Sequence, residues 1–232
     1  MKMIKEKMTG ASLDMLSKLA LIALISFVFL LKVSSQCFVD TAKLNQSLRN
    51  LKSLPTSYEL EKAFFDAFPS SWMEFHLTYQ WYPNKDYDLG YMDHIETFGN
   101  LKLIPDTTYC DKLISLCVGG KWEADATSAL QQVLHDMMGK KADVFFSRLS
   151  LHHRGFQLRF WQYYWSSITH PEDNLNKVRE DYPKECDLLK RKMTSKYPNE
   201  VKTMEIAMSY SLGEINFETI ENNFPHGYFV KQ

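Results

Sequence analysis

ATSALQQVLHDMMG, residues 126–139, decides the fold class because its apolar side chains recur at the spacing of an α-helix. Steps of three and four residues place them on one face, while glutamine, histidine and aspartate take the other. Gly139 follows the last apolar residue and predicts the end of this helix, with another helix beginning near Ala142. The apolar positions are Ala126, Ala129, Leu130, Val133, Leu134, Met137 and Met138.

Helical spacing continues through most of the chain, and no segment has the alternation typical of a strand hairpin. Pro55 and Pro69 each predict the end of one helix, and serine-containing capping patterns follow them. Pro183 predicts the start of a further helix, and Asn199 caps a last one. We therefore expect an all-α fold over residues 36–232: a single-domain antiparallel helical bundle or short helical stack of about nine to ten helices.

The N-terminus resembles an export signal. An apolar run of 13 residues, Leu19–Leu31, lies between Lys18 and Lys32. A helix that crosses a bilayer needs about 20 residues, so the run is typical of a signal peptide and is short for a membrane anchor. Small residues precede a cleavage point after Ser35, which predicts that residues 1–35 are a signal peptide that is removed.

Two features of this N-terminus have alternatives. Translation from Met15 instead of Met1 would leave a more compact signal. Cys37 would be the modified residue of a lipoprotein, although Gln36 stands where lipoprotein signals carry a small residue. We expect a periplasmic or extracellular protein, with membrane contact only through the signal or, as the disfavoured alternative, through a lipidated Cys37.

The charge of the expected mature chain argues against nucleic acid as a partner. The full chain has 27 basic and 28 acidic residues, and five of the lysines and two of the acids lie in residues 1–35. The mature chain therefore has 22 basic and 26 acidic residues, a net charge near −4. A surface that binds phosphate through bulk electrostatics would carry the opposite sign.

All four cysteines, Cys37, Cys110, Cys117 and Cys186, follow the signal. Export favours disulfides, but Cys110 and Cys117 fall seven residues apart in one predicted helix. Their Cα atoms would lie about 10 Å apart, too far for a bond to each other. Either the cysteines of this helix pair with Cys37 and Cys186, or they are free thiols packed as small apolar groups in the core.

Motifs that carry chemistry are missing from the sequence. It has no phosphate-binding loop, dinucleotide fingerprint, zinc-protease motif or nucleophile elbow, and we expect no cofactor. The weak candidates for a metal or hydrolase site are Asp93, His94 and Glu96, whose carboxylates and imidazole suit acid–base or metal chemistry. A solvated acidic loop and helix start is the interpretation that these residues favour.

One group of aromatic residues predicts a contact surface, and a second group predicts a buried helix with a ligand site as the alternative. Trp81, Tyr82 and Tyr87 lie in a segment rich in proline, asparagine and aspartate, which predicts a loop that presents them to a partner protein. A helix over 156–168 carries aromatics on both faces, Trp161, Tyr164 and Trp165 among them. These residues either pack at the centre of the domain or line a site for a small apolar ligand.

The function that best fits these observations is that of an exported, non-enzymatic protein acting through contacts with another protein. An inhibitor or immunity-type factor, or a component of a surface assembly, would fit this description. The alternatives are a hydrolase or metal-dependent enzyme with a site between helices around Asp93, His94 and Glu96, and a small-ligand binder using the 156–168 aromatics.

Overall fold

The computed structural model of the protein describes residues 39–79, 90–121, 125–166 and 175–215. These residues form nine helices and no strand, which confirms the prediction of an all-α bundle or stack. All of them belong to one compact unit. The helices are α1 (Thr41–Ser53), α2 (Tyr58–Ala67), α3 (Trp72–Tyr79), α4 (Tyr91–Gly99), α5 (Asp106–Cys117), α6 (Asp125–Leu149), α7 (Arg154–Tyr164), α8 (Leu175–Met193) and α9 (Pro198–Ser211).

Helix α6 carries the apolar stripe that predicts the fold class, and it is broken near the position that the sequence predicts. Lys141 leaves helical geometry, with φ −131° and ψ 28°, so two helical segments meet there at a kink. The predicted helix end at Gly139 and the predicted helix start near Ala142 are therefore confirmed to within two residues. Phe145, beyond the kink, is buried in the same core as Leu130 before it.

The prolines near the N-terminal end of the fold act as predicted. Helices α1 and α2 stop two residues before Pro55 and Pro69 respectively. The next helices begin with serine caps: Ser57 and Ser71 each accept a hydrogen bond, at 3.3 Å, from the backbone N–H three residues later. Local rules of capping and proline geometry therefore place these boundaries correctly.

Helix α7 is buried on nearly all sides, as its two aromatic faces predict. Phe160, Trp161 and Tyr163 are inaccessible to solvent. The helix ends at Tyr164, earlier than the predicted 168, and packs mainly against α9.

Helix α8 contradicts the prediction that a helix starts at Pro183, because this proline lies inside it. The residues on either side of it, Tyr182 and Cys186, are each only 2% exposed. Their packing in the core offsets the free energy lost with the backbone hydrogen bond that a proline cannot form. Helix α9 begins at Pro198, one residue before the predicted cap Asn199, since the fixed φ of proline suits the first helical position.

No helix within the described ranges combines the length and the apolarity needed to cross a bilayer. The apolar run 19–31, the cleavage point after Ser35 and Cys37 lie outside the described residues. Export is therefore a prediction from the sequence.

Candidate functional site

Helices α4 and α6 pack side by side and leave an open groove of about 440 Å³, here called the α4–α6 groove. The lining residues recur at steps of three and four on each helix, so one face of each helix forms one wall. From α4 and the residue after it come Met92, Ile95, Glu96, Gly99 and Asn100; from α6 come Ala129, Gln132, Val133, Asp136 and Lys140.

The floor of the groove is apolar and closed by a tight contact between the helices. A Cβ atom on Gly99 would lie 2.8 Å from Val133 Cγ2, closer than real Cβ atoms approach, so the absence of a side chain lets the helices touch there. Ile95 is buried, and Ala129 is half-buried beside it. Met92 is 50% exposed at the edge of the groove.

The rim of the groove is charged. Glu96, Asp136 and Lys140 are all exposed. Asp136 accepts a hydrogen bond from Gln132 Nε2 at 2.9 Å, but within the described residues no basic side chain forms an ion pair with either carboxylate. The rim therefore presents two carboxylates and one ammonium group to solvent.

A second groove, of about 410 Å³, lies on the other side of α4 and shares Glu96 and Asn100 with the first. Glu61, from α2, is 3% exposed and borders it. Its Oε2 atom accepts hydrogen bonds from the backbone N–H groups of Lys102 and Leu103 at 2.8 and 2.7 Å. This carboxylate fixes the turn that follows α4, and so supports the helix that both grooves share.

The three residues of the predicted site, Asp93, His94 and Glu96, have separate surroundings and do not form one cluster. Asp93 pairs with Lys52 at 2.8 Å, and Glu96 lies on the groove rim. His94 is 2% exposed, and its Nε2 donates to Asn45 Oδ1 at 2.9 Å. Burial lowers the pKa of His94, which favours a neutral ring with its proton on Nε2. Among the described residues, no group of three or more metal-ligating side chains could hold a metal ion.

The aromatic contact residues have different outcomes. Trp81, Tyr82 and Tyr87 lie outside the described residues, so their role as a partner surface stays a prediction. Trp161 and Trp165 are 0% and 2% exposed, so neither lines an open cleft. Their packing in the core is the interpretation that the two aromatic faces of that helix favour, and it excludes a ligand site lined by these two side chains.

The three described cysteines are free, buried thiols. No disulfide joins Cys110, Cys117 and Cys186 to one another, and Cys37 lies outside the described residues. Burial raises the pKa of Cys110 and Cys186 to about 12 and that of Cys117 well above its ordinary value. A thiol is reactive as the thiolate, so these side chains act as apolar core groups.

No sequence pattern indicates the polar cluster that joins α6, α7 and α8. Glu185 accepts a hydrogen bond from the Tyr164 hydroxyl, and its Oε1 lies 3.2 Å from His135 Nδ1. The other ring nitrogen of His135 lies 3.2 Å from the backbone oxygen of Tyr164. Burial raises the pKa of Glu185, but the bonds and charge from His135 and Tyr164 outweigh it and leave that pKa below its usual value. Both imidazole nitrogens face partners within the fold.

Lys112 forms a second junction that the sequence does not reveal. Its Nζ donates to the backbone oxygens of Phe65 and, at 2.6 Å, of Phe68, and lies 4.5 Å from the centre of the Phe65 ring. The ammonium group thus binds the carbonyl end of α2, where the helix dipole favours a cation. Burial lowers the pKa of Lys112 to about 8.

No protein-family model, curated protein or solved structure matches this chain.

Proposed function

We propose that the protein is exported and acts through contacts with another protein, as an inhibitor or immunity-type factor or as a component of a surface assembly. The signal in residues 1–35 supports the compartment. The α4–α6 groove is the proposed contact surface, because it combines an apolar floor that is open to solvent with charged rim groups that have no ion-pair partner among the described residues.

The ionisable side chains of the described core support a structural role over a catalytic one. His94 bonds to Asn45, His135 bridges two helices, and Lys112 binds backbone oxygens at the end of α2. A general acid or base needs an atom that can meet a substrate. These groups instead form hydrogen bonds with other parts of the fold.

Affinity capture tests the proposal. The full chain, tagged at its C-terminus and expressed in its native host, is purified from envelope and culture-supernatant fractions under mild conditions. We expect a partner protein to co-purify in a stoichiometric amount. The recovery of the chain alone from every fraction would contradict the proposal, as would hydrolytic turnover by the purified chain.

A further inference from the structure

We infer that the α4–α6 groove receives a basic amphipathic helix of the partner protein; the inference rests on the proposed function and names the surface and the chemistry of the contact. Three features support it: the shape of the groove, its apolar floor and the charge of its rim.

The shape suits a helix. Two helices that pack side by side leave a channel between their outward faces, and a third helix can lie in that channel with its side chains between theirs. The regular three- and four-residue steps of the lining on both α4 and α6 provide the matching ridges. The groove volume of about 440 Å³ accommodates a few large apolar side chains.

The floor provides the apolar anchor point. The half-buried Ala129 and Val133 form a small aliphatic surface above the buried Ile95, and Gly99 keeps this surface low because it carries no side chain. Apolar residues of the incoming helix, spaced three and four apart, would cover this surface and also the half-exposed Met92. Burial of such a central apolar patch is what contributes most of the binding energy in small interfaces.

The rim determines the charge of the partner. Glu96 and Asp136 stand on opposite walls and are exposed, whereas nearby Asp93 on the same helix pairs with Lys52. Lysine or arginine side chains beside the apolar anchors of the incoming helix would pair with these two carboxylates, while Lys140 would disfavour further positive charge at its own position. A basic helix is therefore complementary to the groove, and an acidic one is not.

A peptide selection tests the inference without knowledge of the natural partner. The full chain is immobilised and panned against a phage-displayed library of random peptides of about 16 residues, which are roughly 24 Å long as helices. Enriched peptides are synthesised, and their affinity is measured by fluorescence anisotropy against wild type and against the double variant Glu96→Lys/Asp136→Lys.

The matched control is Glu180→Lys/Asp187→Lys on α8, which changes the net charge equally at two exposed acids outside the groove. Circular dichroism and thermal unfolding of both double variants show that each is folded. Sedimentation of wild type over a range of concentrations shows whether a second copy of the chain occupies the groove.

The inference predicts enriched peptides that are basic, carry apolar residues at helical spacing, and bind the groove variant at least about tenfold more weakly than wild type and the control. Enrichment of acidic peptides, or equal affinity of the peptides for both double variants, would show that the groove does not bind a basic helix. Neither result would contradict the proposal that the protein contacts a partner elsewhere on its surface. A dimer that dissociates in the groove variant would overturn it in favour of self-association. If no peptide is enriched and affinity capture also recovers no partner, the proposed function itself fails.

Discussion

Replacing Glu61 by alanine should loosen the turn between α4 and α5, and thereby the support of the helix that both grooves share. Glu61 is 3% exposed, and one of its oxygens accepts the N–H groups of Lys102 and Leu103 at 2.8 and 2.7 Å. Alanine would leave both donors without an acceptor. A hydrogen bond to a charged group contributes about 1.5–3 kcal/mol, and two bonds to one oxygen are not fully additive. We expect the free energy of unfolding to fall by about 3–4 kcal/mol.

A glutamine variant separates the charge of Glu61 from its hydrogen bonds. Glutamine retains an oxygen acceptor, and bonds between neutral groups contribute about 0.5–1.5 kcal/mol each, so Glu61→Gln should cost about half as much as Glu61→Ala. Glu59→Ala is the matched control, because Glu59 is an exposed glutamate on the same helix. Its removal should lower the free energy of unfolding far less than Glu61→Ala does.

Guanidinium unfolding, followed by tryptophan fluorescence and circular dichroism, measures these differences. The midpoints should shift while the denaturant dependence stays constant, because the same surface is exposed on unfolding. A loss for Glu61→Ala equal to that for Glu59→Ala would refute the role assigned to the buried carboxylate. A glutamine variant as unstable as the alanine variant would show that charge, and not the two hydrogen bonds, stabilises the turn.

Three perturbations concern the other buried ionisable groups. The pKa of Lys112 is about 8 in the folded state against an ordinary 10.5, so the folded state loses this proton at a lower pH than the unfolded state does. The free energy of unfolding should therefore rise between pH 8 and 10.5 in wild type, and rise less in Lys112→Met. Unfolding curves measured across this range would contradict the prediction if the free energy had the same pH dependence in both proteins. Because the pKa of Glu185 is lower in the folded state than its ordinary value of 4.5, the ionised side chain stabilises the fold at any pH above 4.5. This stabilisation is lost as the pH falls below 4.5 and through the lower pKa of the folded state. Glu185→Gln should therefore cost about 1–3 kcal/mol at neutral pH and less in acid, whereas a difference independent of pH would exclude this linkage. The three buried thiols should resist alkylation at neutral pH until the protein unfolds; they belong to Cys110, Cys117 and Cys186. Mass spectrometry of alkylated peptides measures this, and rapid labelling of any of the three in the native state would contradict their burial.

Patterns that act within one helix predict the fold well. The stripe that includes Leu130 and Leu134 is buried as its spacing requires, and Pro55 and Pro69 end helices because the restriction they impose is local. The double-faced aromatic pattern of 156–168 likewise predicts a buried helix, because no polar stripe is wide enough to face water.

One boundary prediction fails where packing overrides local preference. Pro183 carries an intrinsic cost inside a helix, yet buried core residues lie before and after it in the same helix. The cost of a proline in a helix interior is about 3 kcal/mol, and burying several large side chains offsets it. A single sequence does not show how much apolar surface each half of such a helix will bury.

The candidate site depends on contacts between distant segments, so spacing rules do not reveal it. Glu61 meets Lys102 across 41 residues, and His135 meets Glu185 across 50. The α4–α6 groove exists because Gly99 and Val133 bring two helices into contact. The acidic residues after Tyr91 indicate an exposed helix face, but the wall supplied by α6 follows only from the tertiary packing.

Site-specific photo-crosslinking in the native host tests the central claim, that this groove contacts another protein. Benzoylphenylalanine replaces Met92, which is 50% exposed at the groove edge, or Leu188, which is 45% exposed on α8 outside the groove. After irradiation of intact cells, immunoblots should show a discrete crosslinked adduct from position 92 and none from position 188. No adduct at position 92, or equal adducts at both positions, would contradict the account.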